Sequence, residues 1–465
     1  MEHTAVEKKG NPLGYLPIGK LLGQFALPAI ISMLVNAVYN IVDQIFIGQG
    51  IGYLGNAATT IAFPIVTIIL AVSTLLGAGG SAYAAIKLGE KMEEEAERTL
   101  GTVFVLTLLA SAVIMIIGFL FLDPMLKLFG ATENTMGYAR EYTAIILLGT
   151  PFNIMAVVLS NMSRTDGSPA LSMYALLVGA ALNTILDPIY IFVFHWGVSG
   201  AAVATITSQI ISAAVLVIYF AKKGKNMRLR KSTLKFSGDI CSKILPLGIS
   251  SGITQVASTI LQVVMNNSLI HYGNQTAVGG DAALSAMGII NKISMILLAV
   301  CIGIGIGSQP ILGFNKGAGQ LKRVRKTYLL AICAATVVSF IGWAACQLFP
   351  GPILSLFGTQ DAQFTEFAVK CLKIYMLGIF TAGFQIVSTS YFQSTGQPMK
   401  ASVLSMLRQL LLLIPLILIL PLEFGLNGIL YAGPVADTAA AVIVAVFAVH
   451  ELRRLNRLCE QETCL

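Results

Sequence analysis

Long apolar runs separated by short polar segments recur twelve times along the chain, at 21–48, 57–86, 99–122, 141–161, 171–194, 200–221, 244–270, 284–312, 327–349, 371–391, 401–422 and 431–450. Runs of this length, wound as α-helix, match the thickness of a bilayer's hydrocarbon core. A transmembrane barrel would show ten-residue segments of alternating polarity, and none is visible. Gly and Pro inside the runs are compatible with membrane helices whose neighbours or water re-satisfy the backbone.

Composition agrees with this pattern. Of 465 residues, 56% are hydrophobic and 11% charged, with a mean hydropathy of +0.80. Soluble domains carry about 25% charged residues. The polar start, MEHTAVEKKGNP, is not that of a cleavable signal peptide. The seven cysteines are scattered, lack a Cys-x-x-Cys spacing and mostly fall in apolar runs, so they read as small buried hydrophobes. Cys459 and Cys464 in the tail form only a weak metal motif.

Placing the N-terminus in the cytoplasm puts 24 of the 30 Lys and Arg on the inner side and only Lys127, Arg140, Lys370 and Lys373 outside. That is a strong positive-inside bias, and it predicts a multi-pass cell (inner) membrane protein with both termini cytoplasmic. The net charge of +8 then faces the anionic inner leaflet and does not imply nucleic acid. The basic run KKGKNMRLRKSTLK at 222–235 reads as a solvated cytoplasmic linker.

The chain repeats itself across this linker. Leu27-Pro28 answers Leu245-Pro246, Leu128-Phe129-Gly130 answers Leu356-Phe357-Gly358, Gly167-Ser168-Pro169 answers Gly396-Gln397-Pro398, and Gly197-Val198-Ser199-Gly200 answers Gly425-Leu426-Asn427-Gly428. The offset grows from 218 to 228 or 229, which places an insertion of about ten residues in the second half, at the 271–283 loop. Six spans per half is an even number, so both halves enter from the same side as a parallel repeat. The expected fold is an all-α integral membrane protein, with twelve transmembrane helices in two pseudo-symmetric six-helix bundles. The first bundle spans 1–221, the linker 222–243, the second bundle 244–450 and a cytoplasmic tail 451–465. Two bundles around a cleft is the architecture of a transporter, here expected to act as a monomer.

Carboxylates at membrane depth are costly and mark function by default. Asn36, Tyr39, Asn40 and Asp43 form one stripe on the first helix. Asn183 and Asp187 are an i, i+4 pair on the fifth. Pro188 cannot donate to the Thr184 carbonyl, which frees an acceptor beside the acid and bends the helix. Counting from the outer helix ends at 1.5 Å per residue, Asp43, Asp187 and Thr205 lie ~7, ~10 and ~8 Å deep. Oxygen donors at one level suit a proton or a hard cation, whereas zinc or copper would call for His or Cys. The bland alternative, hydrogen bonding between helices, applies most to Thr205 and Asn36. In the second half, Lys292 and Asp437 have opposite charge and similar expected depth. They are expected to approach each other as a structural ion pair or, alternatively, to line the cleft.

The paired halves, the Leu-Pro at the head of each, YNIVDQIFIG, NTILDPI and GVSGAAVAT together resemble the MATE (multidrug and toxic compound extrusion) family, and within it the DinF-type bacterial branch. The resemblance covers roughly residues 15–450. It implies a coupling-cation site for Na⁺ or H⁺ at Asp43, Asn183, Asp187 and Thr205, with Asn36 one turn above Tyr39 and Ser160 or Asn161 near the site. Another branch of the family uses second-half carboxylates on its seventh and tenth helices. Here the seventh carries Gln255 and Gln262 and the tenth has no acid, so coupling is expected in the first half only.

The resulting expectation is secondary antiport, without a resident cofactor, in which Na⁺ or H⁺ enters and a lipophilic organic cation or drug leaves. A flippase for a lipid-linked glycan or cell-wall precursor is the alternative, and it would need more basic residues inside the spans than Lys292 and Arg408. A membrane enzyme is not expected, since the four histidines lie near loops or ends. The absence of a Walker A sequence argues against ATP-driven export.

Overall fold

The computed structural model describes residues 11–355 and 362–461. Lys8, Lys9, Cys464 and the Leu356-Phe357-Gly358 repeat element lie outside them. Twelve helices are long and apolar enough to cross a membrane: α1 Ile18–Ile51, α2 Leu54–Gly89, α3 Glu93–Leu120, α4 Glu133–Thr165, α5 Pro169–Val193, α6 Gly197–Lys222, α7 Gly238–Gly273, α8 Ala282–Gly317, α9 Leu321–Leu348, α10 Phe364–Ser394, α11 Pro398–Phe424 and α12 Leu426–Glu460.

Most helices begin before the apolar runs do, because polar first turns extend them. The Thr132 and Thr135 side chains cap α4 reciprocally. Ser237 Oγ accepts from the Ile240 amide at the head of α7. Glu93, Glu94 and Glu95 occupy the first turn of α3, where carboxylates oppose the helix dipole favourably.

The halves match in detail. Short helices Leu122–Leu128 and Pro350–Ser355 follow α3 and α9. Where Gly52 alone separates α1 from the helical turn leading into α2, the six residues 274–279 separate α7 from the helical turn that starts at Gly280 and leads into α8. One apolar core centres on Leu147, Ile154 and Val158 of the first half and takes in Ile240, Ile244 and Leu247 of α7, and another lies within the second half around Ile290, Leu372 and Ile429.

The two halves meet along glycine seams. A Cβ at Gly248 of α7 would lie 1.9 Å from Leu75 O of α2, and one at Gly79 would lie 2.3 Å from Ile244 O. On the other side, a Cβ at Gly303 or Gly307 of α8 would come within 2.6 or 2.5 Å of the Ile30 or Ala26 Cα of α1. Only residues without side chains permit this backbone approach. The seams lie toward the end of the molecule that bears the basic loops. Farther along, the Thr259 and Thr67 hydroxyls bond at 3.2 Å, and a Cβ at Gly288 of α8 would meet nothing within 4 Å. Backbone-to-backbone contact between the halves is therefore concentrated at the basic end, and we read the open space at Gly288 as the start of a wedge between them.

The segment after α6 is less solvated than its charge suggests. Its lysines and arginines are exposed, yet Met227 is fully buried. Asp166, also buried, accepts from the amides of Lys225, Asn226 and Met227 and from the Tyr219 hydroxyl. In the second half, buried Glu451 accepts from Tyr391, Gln397, Lys400 and Arg454. One carboxylate thus fastens the basic end of each bundle.

Candidate functional site

Asp43, Asn183, Asp187 and Thr205 meet between α1, α5 and α6. Asn183 Nδ2 reaches Asp187 Oδ1 and Thr205 Oγ1, each at 3.3 Å. Asn183 and Asp187 are 1% and 0% exposed. The Asp43 and Asp187 carboxyl groups lie within electrostatic reach of each other. Three buried oxygens in the cluster, Asp43 Oδ1, Asn183 Oδ1 and Asp187 Oδ2, have no hydrogen-bond partner. Orphaned acceptors of this kind are costly unless something supplies positive charge. Two like charges held near each other at low dielectric repel by on the order of a few kcal/mol. A proton or a hard cation relieves both problems. The donor set consists of two carboxylates, an amide and a hydroxyl. All four offer oxygen, so the chemistry is that of oxygen ligation.

Local backbone geometry places Asp187. After Pro188, α5 continues as a π-helical turn over Ile189–Val193, with the Phe194 amide donating to the Ile189 carbonyl five residues back. The bend expected at this proline takes the form of a widened turn, in which the missing donor is absorbed by a change of hydrogen-bond register. Gly50, near the end of α1, packs on this turn, since a Cβ there would lie 2.2 Å from Ile191 Cγ2. The two helices that carry the acids are thereby in contact beside the π turn.

The remaining polar residues on the first helix divide by face. Tyr39 joins the carboxylates, within electrostatic reach of both. Asn36 and Asn40 are exposed and bond each other, Asn40 Nδ2 donating to Asn36 O at 2.6 Å. Ser160 and Asn161 are not brought to the cluster. Ser160 bonds Ser172 at 2.6 Å, and Arg164 donates to both serines and to Asn161. Ser172 and Asn183 are eleven residues apart on α5, about 16 Å along the axis. Arg164, expected in an inner loop, is buried at the end of α4 and organises that corner.

The expected approach of Lys292 to Asp437 does not occur. Asp437, 2% exposed, forms its ion pair with Arg408. Two features explain the difference. Helix α12 starts at Leu426, five residues before its apolar run, which sets Asp437 about 7.5 Å deeper than that run implies. Arg408 sits in a π-helical stretch, Leu407–Leu413, part-way along α11. Lys292 points elsewhere. Ile290, two residues before it, is buried in the second core, and two residues turn a helix by about 200°.

The sequence pattern does not single out Tyr142. It is buried on α4 within electrostatic reach of Asp43, Asp187 and Tyr39. At the edge of the apolar run it reads as an interfacial aromatic. The true helix start at Glu133 places it nine residues, about 14 Å, inside.

A family model described as MatE matches residues 28–189 and 244–419. The multidrug export protein MepA of Staphylococcus haemolyticus (strain JCSC1435) is 28% identical over 452 residues, spanning 96% of both chains. MepA of Staphylococcus aureus (strain MRSA252) is 27% identical over 439 residues, 94% of each. The structure of the MATE multidrug transporter DinF-BH in complex with rhodamine 6G superposes with a TM-score of 0.86 at 35% identity, over 93% of this chain and 95% of that one. An outward-facing multidrug resistance transporter of the MOP superfamily, 23% identical, shares the fold with a TM-score of 0.89 over 97% and 99% of the two chains.

Proposed function

The chain belongs to the MATE family of multidrug efflux transporters, and on that premise we propose that it is an antiporter in which Na⁺ or H⁺ enters through the Asp43–Asp187 cluster and drives a lipophilic organic cation out of the cell. The observation that carries this reading is the convergence of three partnerless buried oxygens on two neighbouring carboxylates, with Thr205 bonded to the same amide. Asp43, Asn183, Asp187 and Thr205 hold the ion, and Tyr39 and Tyr142 close the site around it. With the basic loops in the cytoplasm of a cell membrane, the wedge between the bundles opens outward. An ion drives transport only if it binds the two orientations with different affinity. The π turn after Pro188 lies next to Asp187 and against α1, so neutralising the acids is coupled there to helix geometry.

The flippase alternative receives less support. Of the two basic residues expected inside the spans, Arg408 is already held by Asp437.

The experiment is rhodamine ester efflux from proteoliposomes under an imposed Na⁺ or H⁺ gradient. Efflux should follow one of the two gradients and be lost in Asp43→Asn and Asp187→Asn. Gradient-driven efflux at the wild-type rate in both variants would overturn the coupling site.

A further inference from the structure

Among the described residues, the second bundle presents one charged side chain, Lys292, to the wedge without a counter-charge. Lys292 is exposed, and no described residue forms a hydrogen bond or ion pair with it. Eleven residues, close to three full turns, separate it from Gly303, so the two share a face of α8. That is the face that packs on α1 at Gly303 and Gly307. Gly288, one turn farther out, has open space before it. Lys292 therefore stands where the α8–α1 seam has opened into the wedge.

The walls around it are polar but carry no neutralising carboxylate. On α7, Gln255, Thr259, Gln262 and Asn266 follow the same face as Gly248, and Gln262 Nε2 donates to Asn266 Oδ1 at 3.1 Å. Across the wedge, Asn36 and Asn40 bond each other. The deeper charges are spent, Arg408 on Asp437 and Asp43 beside Asp187. An unpaired ammonium in a cleft between low-dielectric walls sets the local potential, because such walls focus its field.

We propose that Lys292 is the charge-selecting residue of the substrate cleft, favouring amphiphiles that carry a carboxylate or strong acceptor beside their cationic group and disfavouring dications. This rests on the export reading above and goes beyond it, since a cation exporter need not hold a positive group in its cleft. The ammonium donates to the acceptor end of the substrate, while the amide-lined walls take either polarity.

A matched pair of dyes tests it. A rhodamine ester is a monocation, and the free acid of the same dye is a zwitterion. Binding of each to purified protein is read by fluorescence polarisation, alongside gradient-driven efflux and thermal unfolding. Lys292→Met should shift the acid-to-ester affinity ratio toward the ester by roughly tenfold, a screened fraction of a direct charge interaction. Lys292→Glu should shift it further, and Lys292→Arg should retain the wild-type ratio. Unfolding temperatures should stay unchanged, since Lys292 holds nothing together. An unchanged ratio in both Lys292→Met and Lys292→Glu, with ester efflux intact, overturns the selector and leaves the export reading standing. Loss of folding in Lys292→Met would overturn the unpaired placement. Failure of the wild type to bind either dye would overturn both readings.

Discussion

Alanine at Gly248 and at Gly288 should have opposite effects, although the substitution is chemically the same. In a helix interior, Gly→Ala gains about 1 kcal/mol of propensity. At Gly248 the new Cβ would sit 1.9 Å from Leu75 O and 2.7 Å from Leu75 C. Both are backbone atoms and cannot rotate away. Restoring an ordinary contact of 3.4 Å requires α7 and α2 to separate by about 1.5 Å, which breaks close packing along the seam. Overpacking of this kind costs roughly 1–3 kcal/mol and outweighs the propensity gain, so Gly248→Ala should lower the unfolding temperature. A Cβ at Gly288 meets nothing within 4 Å, so Gly288→Ala should raise it by the propensity term alone. Thermal unfolding of both variants in one detergent reads the signs directly. A spin-label distance between the bundles, from Lys91 to Lys322, should also lengthen in Gly248→Ala and stay constant in Gly288→Ala. A stabilised Gly248→Ala, or a common sign for both variants, would refute the backbone seam.

Asp43→Asn and Asp187→Asn should each abolish gradient-driven efflux while leaving the unfolding temperature near wild type, because each removes charge from a cluster with orphaned acceptors; wild-type efflux in both would count against the assignment. Pro188→Ala returns an amide donor to α5, and should change the ion-concentration dependence of efflux more than stability; an unaltered dependence would mean that the π turn is a static feature. Asp437→Leu alone strands the Arg408 cation and should destabilise by about 3–5 kcal/mol, whereas Arg408→Met with Asp437→Leu should recover much of that loss in the same unfolding assay.

The number of spans, the internal repeat and the common level of Asp43, Asp187 and Thr205 were all legible in the sequence. Each depends on quantities local to one helix: a fixed rise, a fixed angular step and the requirement that lipid-facing positions be apolar. Tertiary structure decided what depends on more than one helix at once. Asp437 chose Arg408 over Lys292 because α12 starts five residues before its apolar run, and because helix rotation aims Lys292 away from the second core. Tyr142 joined the carboxylates because α4 begins eight residues before its expected start. The glycine seams were present as letters but had no meaning until two helices were laid together. The wedge they create, and the lone ammonium facing it, follow from how six-helix bundles close against each other. Relative rotation and separation of helices arise from contacts between distant parts of the chain, and hydrophobic periodicity does not encode them.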